Sequence, residues 1–118
     1  MKISIEGSRT DFEPGETLRG RVEWFGQETP DALEVRLLWY TEGRGDQDVG
    51  VARTLRIEGL ASTGSRDFEF ELPAGPYSCS GRLISICWAV EATLDPDDQT
   101  QRTAFVLAPE GLEVEIAS

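Results

Sequence analysis

The residues of this sequence that could best take part in chemistry are its carboxylates. The 118-residue chain has 22 Asp and Glu residues against 11 Lys and Arg, and it has no histidine. The lack of histidine excludes Ser-His-Asp and Cys-His catalysis and the usual zinc sites. Carboxylate chemistry remains, either as metal ligation or as general acid and base catalysis.

A calcium site is one use for the three aspartates that follow the longest apolar segment. Asp95, Asp97 and Asp98 share one loop, and calcium prefers several carboxylate oxygens in such a place. The loop lacks the central glycine and the terminal glutamate of an EF-hand. Asp-Pro-Asp-Asp is also an ordinary turn in which aspartates cap their own backbone. Both interpretations stay open. Asp46 and Asp48 lie in another loop, Gly43–Gly50, and would support calcium binding only if the two loops meet.

A pair of glutamates two residues apart offers a second use. Glu69 and Glu71 would project from the same face of a strand, about 7 Å apart. Two carboxylates in such a pair can act as general acid and base in glycoside hydrolysis. Alternating glutamates are also typical of the solvent side of a sheet, and no Gly-rich phosphate loop supports catalysis. We therefore expect no enzymatic activity and no cofactor.

The two cysteines are expected to be free thiols. Cys79 falls in a predicted turn and Cys87 within a predicted strand. A cysteine on a strand and one on its approach rarely reach the Cα separation of about 4.4–6.8 Å that a disulfide needs. A catalytic cysteine would need a neighbouring group that stabilises its thiolate, and no histidine exists to do so.

Hydrophobic residues recur at every second position, which is the pattern of half-buried β-strands. About eight such segments alternate with turn signals rich in Gly, Pro, Asp and Ser. Their apolar rows are Ile3–Ile5, Leu18–Trp24, Leu33–Trp39, Leu55–Ile57, Phe68–Leu72, Ile84–Leu94, Phe105–Leu107 and Leu112–Ile116. Trp24, Trp39 and Trp88 fall on these rows and are expected to fill the space between two sheets. The pattern predicts an all-β, antiparallel, immunoglobulin-like sandwich of seven to eight strands, with residues 1–118 as a single domain.

Two segments combine turn and strand residues in a distinctive order. The first contains Phe12, Pro14, Gly15, Glu16, Leu18 and Gly20, and the second contains Leu72, Pro73, Ser78, Gly81 and Trp88. Together they resemble the arrestin-like domain that is shared by arrestins, a retromer subunit and bacterial sporulation-control proteins. The order and spacing agree across residues 12 to 107, which is most of the chain.

The residues of these segments have structural roles that follow from their chemistry. Pro14 and Gly15 suit a chain reversal, because proline fixes φ and glycine accepts positive φ. Gly20 on the inward face leaves room for a bulky neighbour such as a tryptophan. Pro73 ends a strand because it cannot donate a ladder hydrogen bond. The chain departs from the family pattern at Cys79, where the resemblance implies an aromatic residue.

The resemblance implies a non-enzymatic scaffold or adaptor module that binds a protein partner. Arrestins carry two such domains in tandem and this chain holds one, so a homodimer is a further expectation. The buried charged cluster with which arrestins sense phosphates has no counterpart here, and phosphoreceptor recognition is not carried over. Sheet edges accept an added strand through main-chain hydrogen bonds, and Lys2–Glu6 and Leu112–Ile116 are the predicted edges. A calcium-binding sandwich that uses the Asp95–Asp98 loop is the alternative function.

The net charge of −11 limits the classes of partner. Nucleic acid and anionic membrane surfaces are disfavoured because both bind through Lys and Arg. The sequence contains no basic start followed by an apolar run and no stretch of about 18 apolar residues. We therefore expect no signal peptide, no membrane insertion and a cytoplasmic location. The acidity itself indicates either simple solubility or a basic partner surface.

Overall fold

The computed structural model describes residues 1–26, 28–43, 47–81, 84–96, 99–109 and 114–116. These residues form ten β-strands and one 3₁₀ turn, Glu6–Ser8. The strands are β1 (Lys2–Ile5), β2 (Asp11–Phe12), β3 (Thr17–Trp24), β4 (Ala32–Gly43), β5 (Val49–Ile57), β6 (Gly64–Glu71), β7 (Cys79–Gly81), β8 (Ile84–Asp95), β9 (Gln99–Leu107) and β10 (Val114–Ile116). A search of the same residues for a helix with the length and hydropathy of a membrane span finds none.

The first sheet is antiparallel and has the order β1-β3-β6. In its central strand, Gly20 lies opposite Ile5 on one side and Phe68 on the other. A side-chain carbon on Gly20 would overlap the Phe68 ring and the Ser4 carbonyl, so the position requires glycine for space. The sequence predicts a bulky neighbour such as a tryptophan, and in the structure this neighbour is the ring of Phe68.

The second sheet has the order β10-β7-β8-β4-β5, and β9 adds to it by pairing with β8. β8 pairs with β4 along its whole length, so these two strands form the centre of the sheet. The N-terminal half of β8 also pairs with β7, and its C-terminal half pairs with β9. β2 pairs with β9 and β10 pairs with β7, both in parallel.

The apolar faces of the two sheets contribute to a single core. Trp24 and Trp88 are buried in this core, and Trp39 packs against its margin, as the alternating pattern predicts. The other buried members are Ile5, Phe12, Leu18, Val22, Leu33, Val35, Leu37, Leu60, Phe68, Phe70, Leu72, Val90, Ala92, Leu94, Phe105 and Leu107. The architecture is therefore the all-β sandwich that the sequence predicts.

The described strands exceed the predicted seven to eight because two short ones were not foreseen. β2 has two residues and β7 has three, which is too short for alternation to reveal. Cys79 is the first residue of β7, so the prediction that it lies in a turn is wrong. Neither cysteine forms a disulfide, as predicted, and Cys79 is buried while Cys87 is partly exposed.

Candidate functional site at the sheet edges

The Pro-Gly-Glu segment between β2 and β3 forms a tight turn that is fastened to the end of β6. The Glu16 N–H donates to the Glu13 carbonyl at 3.2 Å, and Gly15 has a φ of 84°. Proline followed by a glycine of positive φ is the signature of a type II turn. The Gly15 N–H donates to the Leu72 carbonyl, and the Leu72 N–H donates to the Glu16 carbonyl at 2.8 Å. The turn therefore joins two strands of the first sheet.

The side chain of Glu16 is used within the same turn. Its carboxylate accepts a hydrogen bond from the Arg9 guanidinium at 3.1 Å and another from the Glu13 N–H at 2.8 Å. These two bonds, that of Arg9 first, lower the pKa of Glu16. The Arg9 guanidinium also lies 4.1 Å from the centre of the buried Phe12 ring. The two motif residues of this turn, Phe12 and Glu16, therefore have structural roles.

The second motif holds the chain between β6 and β7 against the core. The Ser78 N–H donates to the Leu107 carbonyl at 2.7 Å, and the Leu107 N–H donates to the Ser78 hydroxyl at 2.9 Å. The Trp88 indole N–H donates to the Pro76 carbonyl at 2.6 Å. The remaining motif residues lie nearby or in the core: Leu18 and Leu72 are buried, Pro73 is the second residue after β6, and Gly81 ends β7. These contacts are all internal to the fold.

The paired glutamates of the sequence analysis lie on the exposed face of the first sheet. Glu69 accepts a hydrogen bond from Arg19 at 3.1 Å, and Glu71 lies opposite Thr17. The next outward residue, Asp67, accepts from Arg21 at 2.7 Å, which lowers the pKa of Asp67. Carboxylates that pair with arginines across an exposed strand form an ordinary solvent face. The arrangement gives no support to a general acid.

The predicted calcium loop is only partly described. Asp95 ends β8, and its carboxylate accepts a hydrogen bond from Arg56 at 3.3 Å. Asp97, Asp98 and Asp46 lie outside the described residues. Among the residues that are described, no group of three or more His, Cys, Asp or Glu could hold a metal ion. Calcium binding by this loop stays a prediction.

Five strands of the described residues pair on one side only: β1 and β6 in the first sheet, and β5, β10 and the two-residue β2 in the second. The two edges predicted from sequence, Lys2–Glu6 and Leu112–Ile116, contain β1 and β10 and are among them, although Leu112 and Glu113 lie outside the described residues. β6 presents the charged residues Arg66, Asp67, Glu69 and Glu71, a device that blocks pairing with another chain. β1 has only four residues and carries Lys2. The N-terminal half of β5 is different, because its first four residues are uncharged.

Two exposed valines occupy this uncharged half of β5, which we call the β5 edge (Val49–Ala52). Val49 is 59% exposed and Val51 is 50% exposed. The other large apolar side chains with high exposure in the described residues, Phe25 and Tyr77, lie outside strands. The β5 edge is therefore where exposed apolar side chains and an open strand edge coincide.

At two residues of the β5 edge, Val49 and Val51, the backbone polar groups point away from β4. The Thr41 N–H donates to the Asp48 carbonyl at 3.0 Å, so these residues form a hydrogen-bonded pair. Pairs alternate along an antiparallel ladder, which makes the next pair, Tyr40 with Val49, a non-hydrogen-bonded one. Val51, two residues further along β5, likewise forms a non-hydrogen-bonded pair, with Leu38. The N–H and C=O groups of both valines consequently face the open edge.

A β-bulge reverses the face that the strand presents. The register of β5 against β4 shifts between Leu37 and Leu38. Beyond the bulge, Leu55 and Ile57 pack against the core, whereas Val49 and Val51 lie opposite outward-facing residues of β4. The bulge thus turns two apolar side chains outward beside the free backbone groups.

The neighbouring strand of the β5 edge, β4, is held in place by burial and by side-chain contacts. Leu38, which pairs with Val51, is 2% exposed although it faces away from the core. Tyr40, which pairs with Val49, has its ring 4.8 Å from the Arg102 guanidinium, and Arg102 bonds Glu91 at 2.7 Å. Burial raises the pKa of Tyr40, so its hydroxyl stays neutral. A partner strand would therefore meet an ordered edge.

Comparison with known proteins identifies the fold. No protein-family model matches the chain, and no curated protein matches it. The crystal structure of Spo0M, a sporulation control protein from Bacillus subtilis, is similar, with a TM-score of 0.67 and 16% identity. The fold is arrestin-like. The match covers 92% of this chain and 48% of Spo0M, so the chain spans about half the length of that protein.

The β5 edge itself was not found from the sequence. The only available signal was the short uncharged run Val49-Gly50-Val51-Ala52 after a polar loop. Alternation in phase with Leu55 and Ile57 would place both valines inward. Only the bulge, which sequence periodicity does not reveal, shows that they face outward.

Proposed function

We propose that this chain is a non-enzymatic protein-interaction module of the arrestin-like class, and that it accepts an extended protein segment at the β5 edge. The observation that carries the proposal is the outward backbone of Val49 and Val51 beside their exposed side chains. Added strands gain affinity from main-chain bonds and specificity from alternate side chains. Both components are available at this edge.

The remaining features fit an interaction role better than catalysis. The sequence has no histidine, and the motif residues are used to fasten turns and strands to one another. The acidic surface argues for a protein partner over nucleic acid. Two cysteines that form no disulfide, one of them buried, suit a reducing compartment, which supports a cytoplasmic location.

The test compares what an immobilised chain captures from host extract when the β5 edge is altered. Val51→Pro removes an N–H that faces the open edge, so it costs no bond to β4. Val51→Lys places a charge at the same position. Phe25→Lys is the matched control, because Phe25 is 75% exposed and lies off the edge.

We expect both Val51 variants to lose the proteins that the unaltered chain captures, a second copy of the chain included, while Phe25→Lys keeps them. Thermal unfolding of each variant checks that the fold is retained. Capture that survives both Val51 changes in folded protein would show that the edge is not the binding surface.

A further inference from the structure

The segment that contains the β5 edge is complementary to itself when read in the antiparallel direction. Its sequence, from Asp48 to Arg53, is Asp-Val-Gly-Val-Ala-Arg. The central Val-Gly-Val reads the same in both directions, and the two ends carry opposite charges. A strand with these properties can pair with a second copy of itself without placing like charges face to face.

We propose that the segment bound at the β5 edge is the β5 strand of a second copy of this chain, paired antiparallel about a two-fold axis at Gly50. This inference rests on the proposed function, since it requires the edge to accept a strand. The result is a continuous sheet that passes from one copy into the other through an isologous contact. It also specifies the partner as the chain itself.

The register of this pairing follows from the backbone. Residues whose N–H and C=O groups face the open edge must lie opposite each other for the bonds to form. Val49 and Val51 are such residues, so Val49 lies opposite the partner's Val51 and Gly50 opposite the partner's Gly50. The four exposed valines then form two cross-strand apolar pairs on the outer face. Their exposed surface supplies the apolar contact of the interface.

The same register brings two opposite charges together. Ala52 lies opposite the partner's Asp48, and Arg53 is next to Ala52 at the bulge. Arg53 therefore approaches the partner's Asp48 on the side of the sheet that Gly50 faces. Among the residues that the structure describes, neither Arg53 nor Asp48 forms an ion pair within the chain, although Arg53 donates to the Ala52 carbonyl at 2.9 Å. Each two-fold contact would contain this ion pair twice.

The charge of the whole chain also favours this edge over β6 for self-association. Two chains of net charge −11 repel each other, so the contact should form where acidic residues are few. β5 contains Arg53 and Arg56 and no acidic residue, whereas β6 contains three. Pairing between copies along β5 therefore meets less repulsion than pairing along β6.

The experiment is sedimentation equilibrium of the full chain and three variants at about 0.15 M salt, over about 10 μM to 1 mM, the range suited to a small interface. The variants are Val51→Pro, Asp48→Arg and Arg53→Asp. We expect the unaltered chain to form dimers. Each variant alone should associate at least about tenfold more weakly, because backbone bonds are lost or like charges meet.

A mixture of Asp48→Arg and Arg53→Asp provides the decisive readout. One variant then has two arginines at these positions and the other two aspartates, so the mixed dimer regains opposite charges at both contacts. We expect the mixture to dimerise as well as the unaltered chain. A mixture that associates no better than its components would overturn the proposed register.

The inference and the proposed function fail in different ways. If the unaltered chain stays monomeric up to 1 mM while Val51→Pro still removes another captured protein, self-pairing is wrong and the edge still binds a partner. If dimers form equally well with Val51→Pro, self-association occurs elsewhere and the inference is overturned. If Val51→Pro changes neither dimerisation nor capture, both are wrong.

Discussion

The indole ring of Trp39 covers Gly50, the residue that lies opposite it on β5. This contact links the core to the proposed binding edge. Because Trp39 packs against the core, the central residue of the β5 edge is held in place on the inner face, while Val49 and Val51 on either side remain exposed on the outer face. The edge is thus open to a partner but ordered by the fold.

This contact predicts that Gly50→Ala destabilises the protein. The added carbon would overlap the indole of Trp39, and overpacking of this kind costs about 1–3 kcal/mol. Urea unfolding followed by tryptophan fluorescence measures the loss. Gly64→Ala is the matched control, since its added carbon would come only within 3.2 Å of Trp24 and should cost less. Equal stability of Gly50→Ala and the unaltered chain would refute the contact.

Ser78→Ala should also lower the free energy of unfolding, although Ser78 is small. Its hydroxyl accepts the buried Leu107 N–H, and removal of that acceptor leaves the N–H unsatisfied at a cost of about 1–3 kcal/mol. Ser65→Ala, on the exposed part of β6, should change stability by less than about 0.5 kcal/mol. The same urea experiment compares them, and a Ser78 variant as stable as the Ser65 variant would contradict the role of this bond.

The pH dependence of stability should contain a contribution from Glu16. Arg9 and the Glu13 N–H lower its folded pKa below the ordinary value of 4.5, so folding is favoured by the ionised carboxylate. That contribution is fully present above the unfolded pKa and is lost as the pH falls through the lower folded pKa. We expect Glu16→Gln to be less stable than the unaltered chain at pH 7, with a difference that narrows below about pH 4.

Urea midpoints between pH 7 and pH 3 measure this difference. Glu6→Gln serves as the control, because Glu6 is exposed and forms no ion pair among the described residues. A Glu16 variant whose midpoint follows that of the Glu6 variant across the whole range would show that the turn does not depend on this carboxylate.

Added salt should strengthen self-association. Two charges of −11 at about 30 Å repel by about 6 kcal/mol at 0.01 M salt and by less than about 1 kcal/mol at 0.15 M. The proposed ion pairs of Arg53 with the partner's Asp48 are exposed, so their attraction is weaker than the repulsion between the two chains at about 0.01 M salt. The dimer dissociation constant, measured by sedimentation at both salt concentrations, should therefore fall as salt rises. A dimer dissociation constant that rises with salt would contradict this prediction, because it would show that attraction between opposite charges outweighs the repulsion between the two acidic chains.

Sequence periodicity predicts the fold well and the proposed binding edge poorly, and particular residues show why. Rows such as Leu18–Trp24 and Phe68–Leu72 alternate without interruption, so their strands and inward faces could be predicted. The β5 strand contains a bulge. The apolar residues before it, Val49 and Val51, and those after it, Leu55 and Ile57, all occupy odd-numbered positions, but the first pair faces outward and the second faces the core. Pairing partners decide this, and they are distant in sequence.

The motif residues were predictable for a related reason. Pro14 and Gly15 fix the local backbone, so their turn follows from their own conformational preferences. The bonds of that turn to Leu72 join residues far apart in the sequence and needed the structure to be seen. The identity of the neighbour of Gly20 depends on register in the same way.

The most direct test of the account is amide hydrogen exchange at the β5 edge, resolved by residue, in free and associated protein. The amides of Val49 and Val51 face the open edge and should exchange fast in the free chain, while the Gly50 amide, bonded to β4, exchanges slowly. We predict that association, with a second copy or another captured protein, slows exchange at Val49 and Val51 and leaves Gly50 unchanged. Association that slows exchange elsewhere and leaves both valines fast would contradict a binding role for this edge.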